Sequence, residues 1–293
     1  MQKLSTVLMT SLAMAAAALP AFAQENAAPP ETAGIIAQHP DWTAWLSDPA
    51  LARLVLAGPR LPDSSWRVHD IRRPQPPAVD TGTACAAPAP GDAQILFNGT
   101  DLSQWTGDKM GEWTLADGEV TAGGRVYNFL RTKQSFGDVQ IHLEWKTPPQ
   151  PTPPVNPQRR GNSGVFPMGL YEIQILDSYG VQTYPDGTVG GIYGQTPPLV
   201  NAARAPGTWQ CMDIAFRAPR FSGGTLARPA RVTVLLNGVL VQDNTALIGA
   251  TVHGKVGQYT PHAAELPLAI QDHGNAESRV AFRNIWVRRL TPE

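Results

Sequence analysis

Three short runs of this 293-residue chain concentrate side chains that can move protons or hold hydroxyl groups. In the first, the turn Gly161-Asn162-Ser163-Gly164 precedes Tyr171-Glu172-Ile173-Gln174-Ile175-Leu176-Asp177. Side chains alternate across a strand, so Glu172 and Gln174 share one face and Ile173 and Ile175 the other. A carboxylate beside an amide on a sheet face suits sugar hydroxyls, although a solvated outer face has the same pattern. The second run, Gly190-Gly191-Ile192-Tyr193-Gly194, lets the backbone turn sharply and presents a phenol. Tyr193 could stack on a sugar or donate a proton there, or be a core tyrosine after a turn. The third run is Ile270-Gln271-Asp272-His273-Gly274-Asn275. Histidine titrates near neutrality and suits proton transfer, and an adjacent aspartate can orient it. A hairpin loop of polar residues is the plainer reading.

Other chemistries find little support. A Ser-His-Asp hydrolase needs a Gly-x-Ser-x-Gly elbow between strand and helix, and Asn162-Ser163-Gly164 sits among strands without one. His39, His69, His142, His253, His262 and His273 show no short-range ligand spacing. No metal or cofactor is therefore expected, while a calcium ion held by loop carbonyls would leave no mark in a sequence.

The elements that must position these residues read as strands. Val139, Ile141, Leu143 and Trp145 alternate with Gln140, His142, Glu144 and Lys146. Met212, Ile214 and Phe216 alternate likewise. Asn237-Gly238 between Val232–Leu236 and Val239–Val241 is a strong hairpin signal. Val280, Phe282, Ile285 and Val287 close the chain, with a bulge expected at Arg283-Asn284. With 27 glycines, 28 prolines and only 16% charged residues, about ten short strands without intervening helices imply an all-β sandwich or jelly roll. The insert Pro148–Pro157 is a loop between strands.

The N-terminal part differs. Met1-Gln2-Lys3, an apolar run from Leu4 to Leu19 and Ala21-Phe22-Ala23 compose a secretory signal. A periplasmic or secreted protein is expected, and nothing later is long and apolar enough to span a membrane. Residues 24–90 form an extension. Apolar residues at Trp42, Trp45, Leu46, Leu51, Leu54 and Val55 predict two short helices broken near Asp48-Pro49, the first capped by Asp41. Arg67–Val79 reads as an extended strap. The extension is either a partner-docking arm or, preferably, a structural layer with Trp42, Trp45 and Trp66 packed on the outer sheet. Basic and acidic residues balance at 23 and 24, which argues against a nucleic-acid partner. Cys85 and Cys211 could pair in an oxidising compartment or remain separate thiols.

Five blocks in order carry a family likeness: Leu96-Phe97-Asn98-Gly99-Thr100-Asp101-Leu102 with Trp105, Gly161–Phe166, Tyr171–Asp177, Gly191-Ile192-Tyr193, and Gln271–Gly274, followed by Phe282-Arg283-Asn284-Ile285. Residues 94–290 resemble the 3-keto-disaccharide hydrolase family, described as 3-keto-glucoside 1,2-lyase/3-keto-2-hydroxy-glucal hydratase. The resemblance implies a concanavalin A-like sandwich over residues 91–293, acting on a small carbohydrate already oxidised to a ketone at C3. The ketone acidifies the C2 proton. Its removal gives an enolate, the C1 substituent leaves, and water can add back. On this basis Glu172 or His273 is the base, Glu172 being preferred for its place on the sheet, and Asp272 tunes His273. Gln174, Asn162 and Arg131 hold the ketone and hydroxyls, with Gln271 and Asp272 beside them. Tyr193 is an acid or a stacking platform, and Asp177 contacts substrate or a neighbouring loop.

Two rivals share the sandwich. Laminarinase-type hydrolases use Glu-x-Asp-x-x-Glu, against which Glu172, Gln174 and Asp177 stand as a weakened match. A non-catalytic sugar-binding module could use Trp105, Trp113, Tyr179, Tyr184 and Tyr193.

Overall fold

The computed structural model describes residues 27–39, 42–82, 85, 88–150 and 156–291. The signal sequence and the cap at Asp41 lie outside the described residues. The chain divides into two compact units, 1–53 and 54–293.

The first unit carries helix α1 (Thr32–Gln38) and helix α2 (Thr43–Leu46), and α3 (Pro49–Ala57) begins in it. The break expected at Asp48-Pro49 separates α2 from α3. Asp48 Oδ1 accepts from the amides of Ala50 (2.8 Å) and Leu51 (3.3 Å), so it satisfies two donors of the first turn, and Pro49 needs no partner there. Trp42 and Trp45 are buried.

The second unit is an antiparallel two-sheet sandwich. The larger sheet runs β13 (Val239–Ala246), β12 (Arg231–Leu236), β9 (Gln210–Arg217), β6 (Val139–Lys146), β15 (Ala281–Arg289), β4 (Glu119–Thr121), β3 (Thr114–Ala116), with β1 (Gln94–Phe97) also paired to β15. The smaller runs β2 (Trp105–Thr106), β5 (Asn128–Phe136), β14 (Leu266–Asp272), β7 (Ser163–Phe166), β8 (Ile173–Ile175). A separate hairpin joins β10 (Arg220–Ser222) to β11 (Thr225–Arg228).

Period-2 patterning builds the core. Ile141, Leu143, Trp145, Ile214, Phe216 and Phe282 from the larger sheet form one buried cluster with Leu130, Val165, Ile173, Ile175 and Ile270 from the smaller. Each such side chain contributes about 1.5–3 kcal/mol by leaving water. The Asn237-Gly238 turn has φ of 52° and 83°, the left-handed pair that a two-residue hairpin demands. In β15 the register jumps between Arg283 and Trp286, and Asn284 has φ 46°. This is the bulge its sequence implies.

The polar side of β6 is not a solvated face. His142 is fully buried, stacked on Trp286 at 5.0 Å, with Nδ1 2.8 Å from Asp213. Glu144 accepts from Arg283 Nε (2.8 Å) and Asn284 Nδ2 (2.9 Å).

From Leu54 the N-terminal extension belongs to the sandwich unit. The Ile71 amide donates to Val55 O, Arg73 to Gln195 O (3.0 Å) and Gln75 to Thr183 O (2.8 Å). Ala78 bridges Asn201, and Arg204 Nε donates to Thr81 Oγ1 (3.2 Å). The strap therefore runs along the loops that follow β8 before β1 enters the larger sheet. Trp66 is half-buried in the turn closed by the Leu61 amide on its carbonyl. Neither cysteine is in a disulfide: Cys211 is buried in β9, and Cys85, half-buried between the strap and β1, faces Arg204 Nη1 at 3.4 Å.

Candidate functional site

The face of the smaller sheet that points away from the core collects the polar residues. The register pairs Thr106 with Arg131, Arg131 with Ala269, and Ala269 with Phe166. It likewise pairs Phe129 with Gln271 and Gly164 with Gln174. Strand alternation thus puts Arg131, Phe129, Gln271, Gly164 and Gln174 on one surface. Glu172 immediately precedes β8 and His273 immediately follows β14. These two strands run parallel on either side of β7, so the residues sit on the same face toward opposite ends, Glu172 level with Ala269 and His273 level with Leu176.

Glu172 is 6% exposed and has no cationic partner among the described residues. Burial alone pushes its pKa up to about 8, because a carboxylate loses more than a carboxylic acid on leaving water. Gly164 makes the room: a Cβ there would lie 2.6 Å from Glu172 Oε1. The Gln174 amide, turned so that its nitrogen meets acceptors, donates to Glu172 Oε1 (3.3 Å) and Ser163 O (3.1 Å). In the opposite orientation the amide nitrogen instead lies 3.4 Å from Asn162 Oδ1. Asn162 is held by its own bonds, Nδ2 to Gln158 O (2.7 Å) and its backbone amide to Ser278 Oγ (3.0 Å).

His273 Nδ1 faces Asn275 Oδ1 at 2.9 Å. That acceptor puts the proton on Nδ1 and leaves Nε2 with a lone pair. Burial lowers the pKa of His273, opposed by the Asn275 bond and by Asp272, so the neutral ring is favoured. Asp272 itself is fully buried beneath the strand, accepting from the Gly124 amide (3.2 Å), Asn128 Nδ2 (3.3 Å) and the Gly274 amide (2.9 Å). It acts on His273 through charge, and Asn275 does the orienting. Gln271 Nε2 donates to Tyr127 OH (3.1 Å), while its buried Oε1 has no partner among the described residues and suits a donated hydroxyl.

Beyond β8 lies a chain of hydroxyls. Tyr184 OH and Tyr193 OH are 2.7 Å apart, and Tyr193 OH is 3.0 Å from His253 Nδ1. Burial and the nearby Glu172 push the Tyr193 pKa up, so it stays a phenol. Burial first, and then the nearness of the titratable His69 and His273, lowers that of His253. His69, from the strap, is packed against Tyr184 (4.2 Å between ring centres) and Tyr193 (4.9 Å).

On the other flank a cleft of about 330 Å³ is bounded by Thr106, Lys109, Tyr127, Phe129 and Arg131. The Arg131 guanidinium lies over the Phe129 ring at 4.6 Å. Asp177 stands apart. It is buried against Arg160, with Nη2 to Oδ2 at 2.6 Å, and its amide donates to Arg160 O. Trp105 and Trp113 are core residues, and Tyr179 is exposed.

Among the residues singled out in the sequence, Glu172, Gln174, Tyr193, Gln271, His273 and Arg131 come to this surface or its rim. The runs did not point to Tyr127, Asp186, His253 or His69, and Tyr184 stood out only as an aromatic. These come from loops without periodicity, joined only in space. Among the described residues no cluster of three or more His, Cys, Asp or Glu is placed to hold a metal ion.

A 3-keto-alpha-glucoside-1,2-lyase-like domain matches residues 92–288, about two thirds of the chain. The chain belongs to this family. The lyase-like domain spans both sheets and the surface just described, apart from His69. A candidate glycosyl hydrolase from Parabacteroides distasonis is 39% identical over 78% of this chain and 98% of its own, with a TM-score of 0.66. That match exceeds the domain's share, so it reaches into residues N-terminal of 92. A second P. distasonis candidate glycosyl hydrolase is 21% identical, covering 68% of this chain and 94% of its own, with a TM-score of 0.47. Among curated proteins none matches.

Proposed function

We propose that this lyase-like domain cleaves 3-keto-glycosides by removing the C2 proton and eliminating the C1 substituent, with water then adding to the 2-hydroxy-glucal. One observation carries the reading. Two titratable side chains on the same sheet face, Glu172 and His273, are both pushed toward their neutral forms. Neutral imidazole is a base and a carboxylic acid is an acid, so burial separates the two roles.

The assignment that follows reverses the one preferred from sequence. His273 Nε2 takes the C2 proton. Glu172, protonated below about pH 8, delivers a proton to the departing C1 oxygen. The C2–H electrons first form the enolate with the C3 ketone. As that ketone re-forms, the pair shifts to make the C1=C2 double bond and the C1–O bond breaks, its electrons leaving with the oxygen. Tyr193, a phenol held between Tyr184 and His253, donates to the enolate oxygen. Gln174 and Gln271 Oε1 hold ring hydroxyls. Returning water reverses the proton transfers and gives net hydrolysis.

Asp177 weighs against laminarinase-type chemistry. That reaction needs a second carboxylate near the first, whereas Asp177 is taken up by Arg160. The signal read in Met1–Ala23 supports export as the setting.

Proton NMR in heavy water with a 3-keto-glucoside tests the reading. Release of the aglycone with deuterium at C2, or a visible glucal, is the expected result. An unchanged keto-sugar beside cleavage of an unoxidised glycan would overturn it.

A further inference from the structure

His69 lies outside the 92–288 domain, yet its imidazole is fully buried among site residues. Its φ is 59°, a conformation that non-glycine residues avoid and that surrounding structure must enforce. Asp186 enforces it from two sides. Oδ2 accepts from the His69 backbone amide (2.9 Å), and Oδ1 is 3.2 Å from Nδ1. The far ring nitrogen, Nε2, accepts the Gly254 backbone amide at 3.4 Å. An atom that accepts carries no proton, so the ring is the neutral Nδ1–H form, its proton directed at Asp186.

Gly254 directly follows His253, whose Nδ1 meets Tyr193 OH. The Gly254 φ is +68°, and a Cβ there would come within 3.2 Å of Leu54 Cδ1. This loop is therefore seated against the extension by one backbone bond and a close approach that glycine permits. The His69 ring centre is 5.4 Å from that of His253, 4.2 Å from Tyr184 and 4.9 Å from Tyr193.

We propose that His69 is a positioning residue for the reaction: held in one tautomer by Asp186, it fixes the Gly254 backbone and so keeps His253 on the Tyr193 hydroxyl. The catalytic surface is then completed by the N-terminal strap. The role in catalysis rests on the function proposed above; the tautomer and its hold on Gly254 do not.

Asp186→Asn separates this role from bulk packing. The amide can still accept the His69 backbone bond with its oxygen, but its nitrogen then donates toward Nδ1. This drives the His69 proton to Nε2, where it faces the Gly254 N–H. The full-length protein labelled with nitrogen-15 histidine reports it. In wild type, long-range proton–nitrogen spectra at neutral pH should show His69 protonated on Nδ1. In Asp186→Asn and His69→Gln the His253 signals should shift and the Gly254 amide should exchange at least tenfold faster. On a 3-keto-glucoside kcat should fall at least tenfold with KM changed less than threefold. Wild-type His253 shifts and Gly254 exchange in a folded Asp186→Asn protein would overturn the proposal. If wild type leaves the keto-sugar untouched, the functional reading fails while the spectra still decide the tautomer and the loop contact.

Discussion

The Glu172 carboxyl occupies space that any side chain on Gly164 would need: a Cβ on residue 164 would lie 2.6 Å from Glu172 Oε1 and 2.7 Å from a ring carbon of Phe166. Neither neighbour is a free end that swings into solvent. Gly164→Ala should therefore displace the carboxyl, cost about 1–3 kcal/mol by overpacking, and lower turnover at least tenfold. Thermal melting and keto-glucoside kinetics on one preparation check both.

Glu172 also makes stability depend on pH. Its folded pKa, about 8, stands above the ordinary 4.5. The folded state thus binds this proton more tightly than the unfolded state. The contribution is complete below about 4.5 and is lost as pH rises through 8. Glu172→Gln removes the loss. The variant should melt with wild type near pH 4 and clearly above it at pH 9, by on the order of a few kcal/mol. Its kcat should fall at least a hundredfold.

Activity should follow a bell. The basic limb lies near pH 8, where Glu172 gives up its proton. The acid limb lies below the ordinary histidine value of 6.5, because burial lowers the pKa of His273. The same shift means that His273 favours folding above 6.5 and that this is lost as pH falls through its folded pKa. Asn275→Ala removes a bond that raises this pKa, so the acid limb should move further down. A limb that stays fixed would assign it to another group.

Tyr193→Phe cuts the link between Tyr184 and His253. It takes one bond from the buried Tyr184 hydroxyl and one from the exposed His253, a loss of about 1–3 kcal/mol chiefly at Tyr184. If Tyr193 steadies the enolate, kcat should drop about 10²-fold or more with a much smaller change in KM. An equal rise in KM at constant kcat would reduce Tyr193 to a binding residue.

Cys85 has a thiol pKa lowered to about 7, first by a hydrogen bond with Cys211 and, against the effect of burial, by Arg204. Thiolate is the reactive form. Alkylation by iodoacetamide should therefore show a midpoint near pH 7 at Cys85 and proceed far more slowly at buried Cys211, read by peptide mass spectrometry. Arg204→Gln should move the midpoint upward.

The strands were legible because period-2 patterning is local: Val139–Lys146, the Asn237-Gly238 turn and the bulge at Asn284 each follow from adjacent residues. Glu172 and Gln174 were legible for the same reason. The other half of the site was not. His69 meets Asp186 across 117 positions and Gly254 across 185, and no spacing rule connects strap to loop. Nor does alternation say whether a polar face is wet, and His142 and Glu144 are covered although their pattern matches a solvated strand. Asp177, in the same run as Glu172, turned to Arg160 because the strand had already ended at Ile175.

The strap has a consequence for how the protein comes into being. His69 leaves the ribosome among the first third of the chain, while Gly254 is made 185 residues later. At about 5–20 residues per second, roughly 10–40 s separate the two. Throughout that interval the histidine lacks its backbone donor, for the first 117 residues of it the aspartate as well, and long-range β pairing is slow to form. The reactive surface can therefore assemble only after nearly the whole chain exists, and a nascent or truncated product ending before the Gly254 loop would lack it.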